Sequence, residues 1–126
     1  MIRYAYNRPV DPPAPFVHVS LRTPGDGPSL DNVPAQVDTA ADRTVIPGGL
    51  VAQLGLVPLD ELRVAGFGGQ VLIVLTYLVE VTLRGQSPRF IEVIAHEGEP
   101  YVLLGRDVLN HLRMVLDGPS LSLEIG

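Results

Sequence analysis

The segment AQVDTAADRTVIP, residues 35–47, carries the side chains whose types and spacing best suit chemistry. Asp38 ends a short apolar run, Thr39 follows it, and Asp42 lies shortly after. An Asp-Thr pair at the end of a strand also forms an ordinary turn, because both side chains bond the nearby backbone. Catalysis would need a second carboxylate, since a pair that shares one proton can activate a water as base and protonate a leaving amine as acid. A chain with one such loop would obtain that carboxylate from a symmetric copy.

A second candidate segment is AGFGGQ, which contains Gly66, Phe67, Gly68 and Gly69. Glycine is the usual residue where a hairpin turn needs positive φ, so a plain turn explains this composition. A glycine-rich hairpin between apolar strands also suits a mobile cover over a peptide cleft. Phe67 is unusual at a tip of small residues, and contact with a substrate or with a partner's flap would explain it.

The third segment is YVLLGRDVLNHL, residues 101–112. One interpretation is a buried strand, a glycine turn and a helix, with Asp107 in the first helical turn and Arg106 in solvent. In the alternative, Gly105 allows close approach of the backbone to the Asp38 loop. Arg106 then turns inward and pairs with Asp42, because a bidentate pair between arginine and a carboxylate would support that loop.

The elements that must position these segments are nearly all short strands and turns. Alternating or apolar runs predict strands at FVHVSLR, VPAQV, RTVIP, RFIEVIAH and YVLLG, two more around the GFGG tip, and a final hairpin with Leu121, Leu123 and Ile125 on one apolar face. TPGDGPSLDN, residues 23–32, is predicted as a loop, and GGLVAQLGL and RDVLNHL as short helices, the first ending at Gly55. The pattern therefore predicts an all-β fold, a small closed barrel with one or two short helices.

Composition narrows the function further. The chain has 126 residues, a net charge of −5 and no Lys/Arg block, which argues against nucleic acid as a partner. There is no Cys, and His18, His96 and His111 lack metal-ligand spacing, so we expect no metal and no cofactor. The longest apolar run is too short to span a membrane, and the N-terminus lacks an apolar signal core. We therefore expect no membrane association and a cytoplasmic location.

Taken together, VDTAADRTVIP, RVAGFGGQ and VLLGRDVLNHL resemble, in order and spacing, the retropepsin family of homodimeric aspartic proteases. The resemblance runs from Phe16 to the C-terminus. It implies a retropepsin-like barrel with a flap hairpin over residues 16–126, a homodimer, and a peptide or protein substrate. Residues 1–15 would be an N-terminal arm or interface strand followed by a Pro-rich linker, and the final strand, together with the first, would contribute to a sheet between subunits.

The resemblance also implies roles for the residues of the Asp38 loop. Asp38 would be the catalytic carboxylate, one per subunit, and the Thr39 hydroxyl would join the two loops across the dimer axis. The backbone carbonyl of Ala40 would face the substrate, and Ala41 matches a small residue of the family. Asp42 would bind the substrate backbone and accept the ion pair from Arg106.

Two further segments receive roles from the same resemblance. Gly66, Phe67, Gly68 and Gly69 would form the tip of a flap that contacts substrate. Gly105 and Arg106 would support the catalytic loop.

One departure from the family pattern concerns Ala40, which stands where glycine is usual. If that position required positive φ, alanine would cost about 1 kcal/mol or more. The sequence therefore leaves three alternatives open. They are an active aspartic endopeptidase, a weak or inactive retropepsin-like module for peptide binding or dimerisation, and a purely structural β-barrel that stays monomeric.

Overall fold

A computed structural model describes residues 1–65 and 68–126 of the chain. Two short helices, α1 Gly49–Leu54 and α2 Arg106–Leu109, interrupt a chain of strands. The strands are β1 Ile2–Ala5, β2 Phe16–Arg22, β3 Ser29–Val37, β4 Val45–Pro47, β5 Pro58–Ala65, β6 Val71–Leu83, β7 Arg89–His96, β8 Val102–Leu104, β9 Met114–Asp117 and β10 Ser122–Ile125. No helix in these two ranges is long and apolar enough to cross a bilayer.

Six strands close into a barrel in the order β2-β3-β8-β4-β7-β6, because β6 pairs back onto β2. Buried and more exposed residues alternate along these strands, so that every second side chain fills the interior of the barrel. From Tyr77 to Leu83 every second residue of β6 is buried, and β2 buries Val17, Val19 and Leu21 in the same way. This arrangement confirms the predicted all-β closed barrel with two short helices.

Strand β3 positions the candidate site, because it belongs to the barrel and ends directly before Asp38. It pairs in parallel with β8, through Ala35 with Val102 and Val37 with Leu104. Parallel pairing brings the carboxyl ends of both strands to one edge. The segments that follow them therefore meet there.

The predicted loop over residues 23–32 is wrong in its second half, because β3 already begins at Ser29. Val19 pairs with Val33 and Leu21 with Leu30, so β3 has a bulge opposite Ser20. Asn32 in this bulge has a φ of 54°, the left-handed region that asparagine tolerates. The bulge breaks the alternation that would have indicated the strand.

The chain termini form a separate three-stranded sheet in the order β1-β10-β9. Ile2 pairs with Ile125 and Tyr4 with Leu123, and both partners on β10 are buried. Strand β10 is thus flanked on both sides by strands of its own chain, and the open edges belong to β1 and β9. The predicted apolar face includes Leu123 and Ile125 but not Leu121, which has a φ of 49° and precedes the strand.

The β5–β6 hairpin extends beyond the barrel. In the part of the chain that the structure describes, β5 pairs with β6 alone, from Pro58 opposite Tyr77 to Ala65 opposite Val71. Val71 and Ile73 are 62% and 65% exposed. Val71 and Ile73 lie on the same face of β6 as Tyr77, Val79 and Val81, which are buried in the barrel. The apolar face of β6 therefore continues beyond the barrel, where it is exposed.

Candidate active site

Asp38 begins a tight turn at the end of β3. Its backbone amide donates to the Leu104 carbonyl at 3.0 Å, which continues the pairing of β3 with β8 by one residue. The Ala40 amide donates to the Asp38 side chain at 3.1 Å, and the Ala41 amide donates to the Asp38 carbonyl at 3.2 Å. The turn expected from an Asp-Thr pair is therefore present, and it fixes the direction of the carboxylate.

Ala40 lies in this turn without left-handed strain. Among the described non-glycine residues, positive φ occurs at Asn32 and Leu121, so Ala40 has a negative φ. Its side chain is exposed in the single chain. The free-energy cost considered above for alanine at this position applies only if φ is positive, so Ala40 does not carry it.

The Gly105–Asp107 segment supports the turn through backbone and side-chain bonds. The Arg106 amide donates to the Ala41 carbonyl at 2.9 Å, and Arg106 Nη1 donates to the Thr39 carbonyl at 2.8 Å. The predicted ion pair of Arg106 with Asp42 is absent from the described residues, where the ion pairs are Arg22 with Asp26 and Arg43 with Glu92. The Arg106 side chain does point toward the loop. Its guanidinium donates to the Thr39 carbonyl of the turn and not to Asp42, which stays exposed.

Gly105 is required here for space and not for backbone conformation. Its φ of −90° suits any residue. A Cβ at this position would lie 2.6 Å from the carbonyl carbon of Arg43 and 2.9 Å from the Thr44 nitrogen. The close approach of the backbone predicted for Gly105 is therefore present. The backbone that it contacts is that of Arg43 and Thr44, which follow the Asp38 turn.

A second support was missed by sequence reasoning, and it joins Thr44 to Asp107. Asp107 Oδ2 accepts from the Thr44 amide at 2.9 Å, and Oδ1 accepts from the Thr44 hydroxyl at 2.7 Å. The same hydroxyl accepts from the Gly105 amide at 3.1 Å. Thr44 is fully buried, and its single hydroxyl proton goes to Asp107, so the three groups form one directed chain of hydrogen bonds. The only sequence signal was an Asp directly after Gly-Arg, which its place in a first helical turn also explained.

A polar cluster next to this support contains Arg43, Glu92 and Thr76. Arg43 Nη1 lies 3.3 Å from Glu92 Oε1, and the buried Thr76 hydroxyl donates to Glu92 Oε2 at 2.6 Å. These residues connect the chain after the Asp38 turn to β6 and β7. A cavity of about 340 Å³ beside them is lined by Asp42 and Asp107 as well.

The glycine tip of the β5–β6 hairpin is described in part. Gly66 and Phe67 lie outside the described residues. Gly68 and Gly69 have φ values of 88° and 78°, which favour glycine, and a methyl group added to either would have no described atom within 4 Å. The predicted contact of these four residues with substrate stays a prediction.

In the part of the chain that the structure describes, the Ala40 amide is the single hydrogen-bond partner of the Asp38 side chain. Across residues 1–65 and 68–126, no three His, Asp or Glu side chains gather in a way that would hold a metal ion.

Comparison with known proteins places this arrangement in a family. A family model described as gag-polyprotein putative aspartyl protease matches residues 30–111, more than half of the chain, including the Asp38 turn and the Gly105–Asp107 segment. No curated protein matches the chain in sequence.

Solved structures show the same fold at low sequence identity. A retropepsin-like aspartic protease from Rickettsia conorii has a TM-score of 0.63 at 16% identity, over 97% of this chain and 87% of that one. EIAV protease in complex with the inhibitor HBY-793 has a TM-score of 0.57 at 20% identity, over 78% and 86%. The retroviral protease-like domain of Ddi1 from Leishmania major has a TM-score of 0.52 at 20% identity, over 87% of each chain.

Proposed function

Because the chain belongs to the gag-polyprotein putative aspartyl protease family, we propose that it is an aspartic endopeptidase whose active site forms from two copies of the chain. The observation that carries the proposal is the Asp38 turn. Its carboxylate is held by one backbone amide, and the turn itself is fixed by Arg106. Thr39 and Ala40, the residues at the outer end of this turn, are exposed and available to a second copy.

In the proposed dimer the two Asp38 carboxylates share one proton across the two-fold axis. The ionised one takes a proton from a water, and the oxygen of that water bonds to the carbonyl carbon of the peptide. The protonated one stabilises the carbonyl oxygen of the tetrahedral intermediate. A proton then passes to the leaving nitrogen as the C–N bond breaks, and no covalent bond to the enzyme forms. Since this mechanism needs one ionised and one protonated carboxylate, we expect activity to fall on both sides of a maximum in pH.

The β5–β6 hairpin is the part of the chain suited to cover the substrate. Val71 and Ile73 on it are exposed apolar side chains. An extended peptide beneath the hairpin would bury them and add a strand against the cleft. In this proposal the hairpin is the flap, and the preferred side chains next to the scissile bond are apolar.

The second copy is proposed to join at strand β9. Both sides of β10 are occupied by β1 and β9 of the same chain, so a further strand can only extend the terminal sheet at β1 or β9. Val115 and Leu116 on β9 are 44% and 48% exposed, which is unusual for an open edge without a partner. Antiparallel pairing of β9 with its symmetry mate would bury them.

Two variants test the two parts of the proposal separately. Asp38→Asn should abolish cleavage of a mixed peptide library and leave the sedimentation coefficient of the dimer unchanged. Asp31→Asn, an exposed carboxylate on β3, is the matched control and should cleave like the wild type. Equal cleavage by Asp38→Asn would contradict the assignment of the catalytic residue.

Leu116→Arg places like charges opposite each other in the proposed β9 pairing. It should convert the dimer to monomer in sedimentation velocity and remove cleavage along with it. A stable wild-type monomer at high concentration would contradict the two-chain active site. Affinity for peptides with no turnover between pH 3 and 7 would instead favour the binding module that Ala40 suggested.

A further inference from the structure

An aromatic cavity lies on the face of the barrel that leads to Asp38. It has a volume of about 350 Å³, and its walls include Tyr4, Tyr6, Phe16 and Tyr101. These are four of the seven aromatic residues in the chain. The core cluster is mostly aliphatic but includes Tyr77, and Tyr4 and Tyr6 pack against it while also lining the cavity.

The position of the cavity follows from strand alternation. Ala35 and Val37 of β3 point into the core, so Pro34 and Gln36 lie on the other face, and Asp38 continues that alternation. Phe16 on β2 pairs with Gln36 on β3. The cavity, which Pro34 also lines, therefore lies on the same face of the sheet as the proposed catalytic side chain.

The walls of the cavity are fixed by contacts within one chain. Phe16 is 4% exposed, and its ring meets that of Tyr101 edge to face at 4.9 Å. Tyr4 and Tyr6 come from the N-terminal segment, which is held by pairing of β1 with β10 and by the bond of the Tyr6 amide to the Leu121 carbonyl. The polar side chains at the cavity are those of His18 and Asn7.

We infer that this cavity is a subsite that binds an aromatic side chain of the peptide substrate at a distance from the scissile bond. Its volume is in the range of small-ligand pockets, and aromatic walls with few polar groups favour a large apolar ring. Strand rise separates Pro34 from Asp38 by about 13 Å, and an extended peptide covers that distance in about four residues. The inference rests on the proposed function, because it assigns the cavity to the same peptide.

The test uses the full chain with Asp38→Asn, so that bound peptides are not cut. The probes are capped octapeptides of alanine and valine with one Trp placed at each position in turn. The chain has no Trp, so the fluorescence of the peptide is observed without background. We expect one Trp position to bind about tenfold more tightly than the same peptide with Ala there, with a blue-shifted emission.

Variants of the cavity wall connect that preference to the site. Adding Tyr101→Ala should remove the tenfold preference, and Tyr101→Phe should keep it. Phe90→Ala is the matched control, because Phe90 is an aromatic residue 60% exposed on β7 and does not line the cavity. A preference that survives Tyr101→Ala, or the absence of any preferred Trp position, would overturn the inference.

The same variants in the active chain separate this inference from the proposed function. The ratio of kcat/KM between the Trp and Ala peptides should fall about tenfold in Tyr101→Ala and stay constant in Phe90→Ala. Cleavage without dependence on Tyr101 would overturn the subsite alone. Absence of cleavage with Tyr101-dependent binding would overturn the protease and leave the subsite in place.

Discussion

The Asp38 turn and the β5–β6 hairpin are opposite in how the chain supports them. The turn is bonded to Arg106 at two carbonyls, and the chain that leaves it is bonded to Asp107 by Thr44, a fully buried residue. The hairpin pairs only with itself at its outer end and exposes Val71 and Ile73. One copy of the chain thus holds its own Asp38 turn in place, which is half of the floor of the proposed site. The β5–β6 hairpin, the proposed cover, lacks the apolar partner that would bury Val71 and Ile73.

This difference shows where stability and function are separated in the molecule. Buried polar groups that bond one another are costly to disturb, because each lost partner leaves an unsatisfied group. Exposed apolar side chains add little to the free energy of unfolding of the single chain, and they become useful only when a substrate or a partner covers them. Substitutions in the two regions should therefore act on different measurements.

The largest effect is expected for Gly105→Ala. The added methyl would lie 2.6 Å from the backbone of Arg43, which cannot move without moving the Asp38 turn. We expect the free energy of unfolding in urea to fall by about 3 kcal/mol. Gly69→Ala in the hairpin is the matched control. It has open space but a φ of 78°, and should cost only about 1 kcal/mol. Equal losses would show that the floor is no more tightly packed than the hairpin.

The next effect concerns Asp107→Ala, which removes both acceptors of Thr44. The buried Thr44 amide and hydroxyl would lose their partners, and we expect a loss of about 2 kcal/mol in urea unfolding. Asp31→Ala removes one acceptor of the Ser20 hydroxyl on the surface and should change stability by less than about 0.5 kcal/mol. A comparable cost for both variants would contradict the role assigned to the Thr44–Asp107 pair.

A smaller effect is expected at Ala40 in the turn itself. Because Ala40 has no positive φ, replacing it with glycine relieves no strain and only increases the freedom of the unfolded chain. Ala40→Gly should therefore lower the free energy of unfolding by about 0.4–1 kcal/mol. A gain in stability would mean that alanine is strained in this turn, and it would revive the argument for an inactive module.

The smallest effect on stability is expected in the hairpin. Ile73→Ser removes an apolar side chain that is 65% exposed, so urea unfolding should change by less than about 0.5 kcal/mol. If the hairpin covers substrate, the same variant should raise KM for peptide cleavage several-fold. A large loss of stability with unchanged KM would place Ile73 in a packed core of the single chain and would contradict the comparison between floor and cover.

The sequence predicted much of this arrangement, for identifiable reasons. Strand alternation indicated the barrel, and Gly55 predicted the end of α1, where its φ is 62°. For the Gly-Arg-Asp run directly after an apolar strand, contact with the Asp38 loop was one of two interpretations, and the family resemblance favoured it. The predictions failed where one residue has two plausible partners, since nothing in the sequence shows whether Arg106 binds the Asp42 carboxylate or the Thr39 carbonyl.

By itself, the sequence determined the all-β class, the position of the Asp38 turn and the segments that belong beside it. The first two properties follow from periodicity and from the local preferences of Asp and Thr, and the third from the resemblance of the three segments to the retropepsin family. Only the tertiary structure decided that Asp107 binds Thr44, that Gly105 is needed for space, that Ala40 is unstrained and that four aromatic residues surround one cavity. Most of these depend on distances between residues far apart in the chain, and such distances are set by how β3 and β8 pair and not by any local pattern.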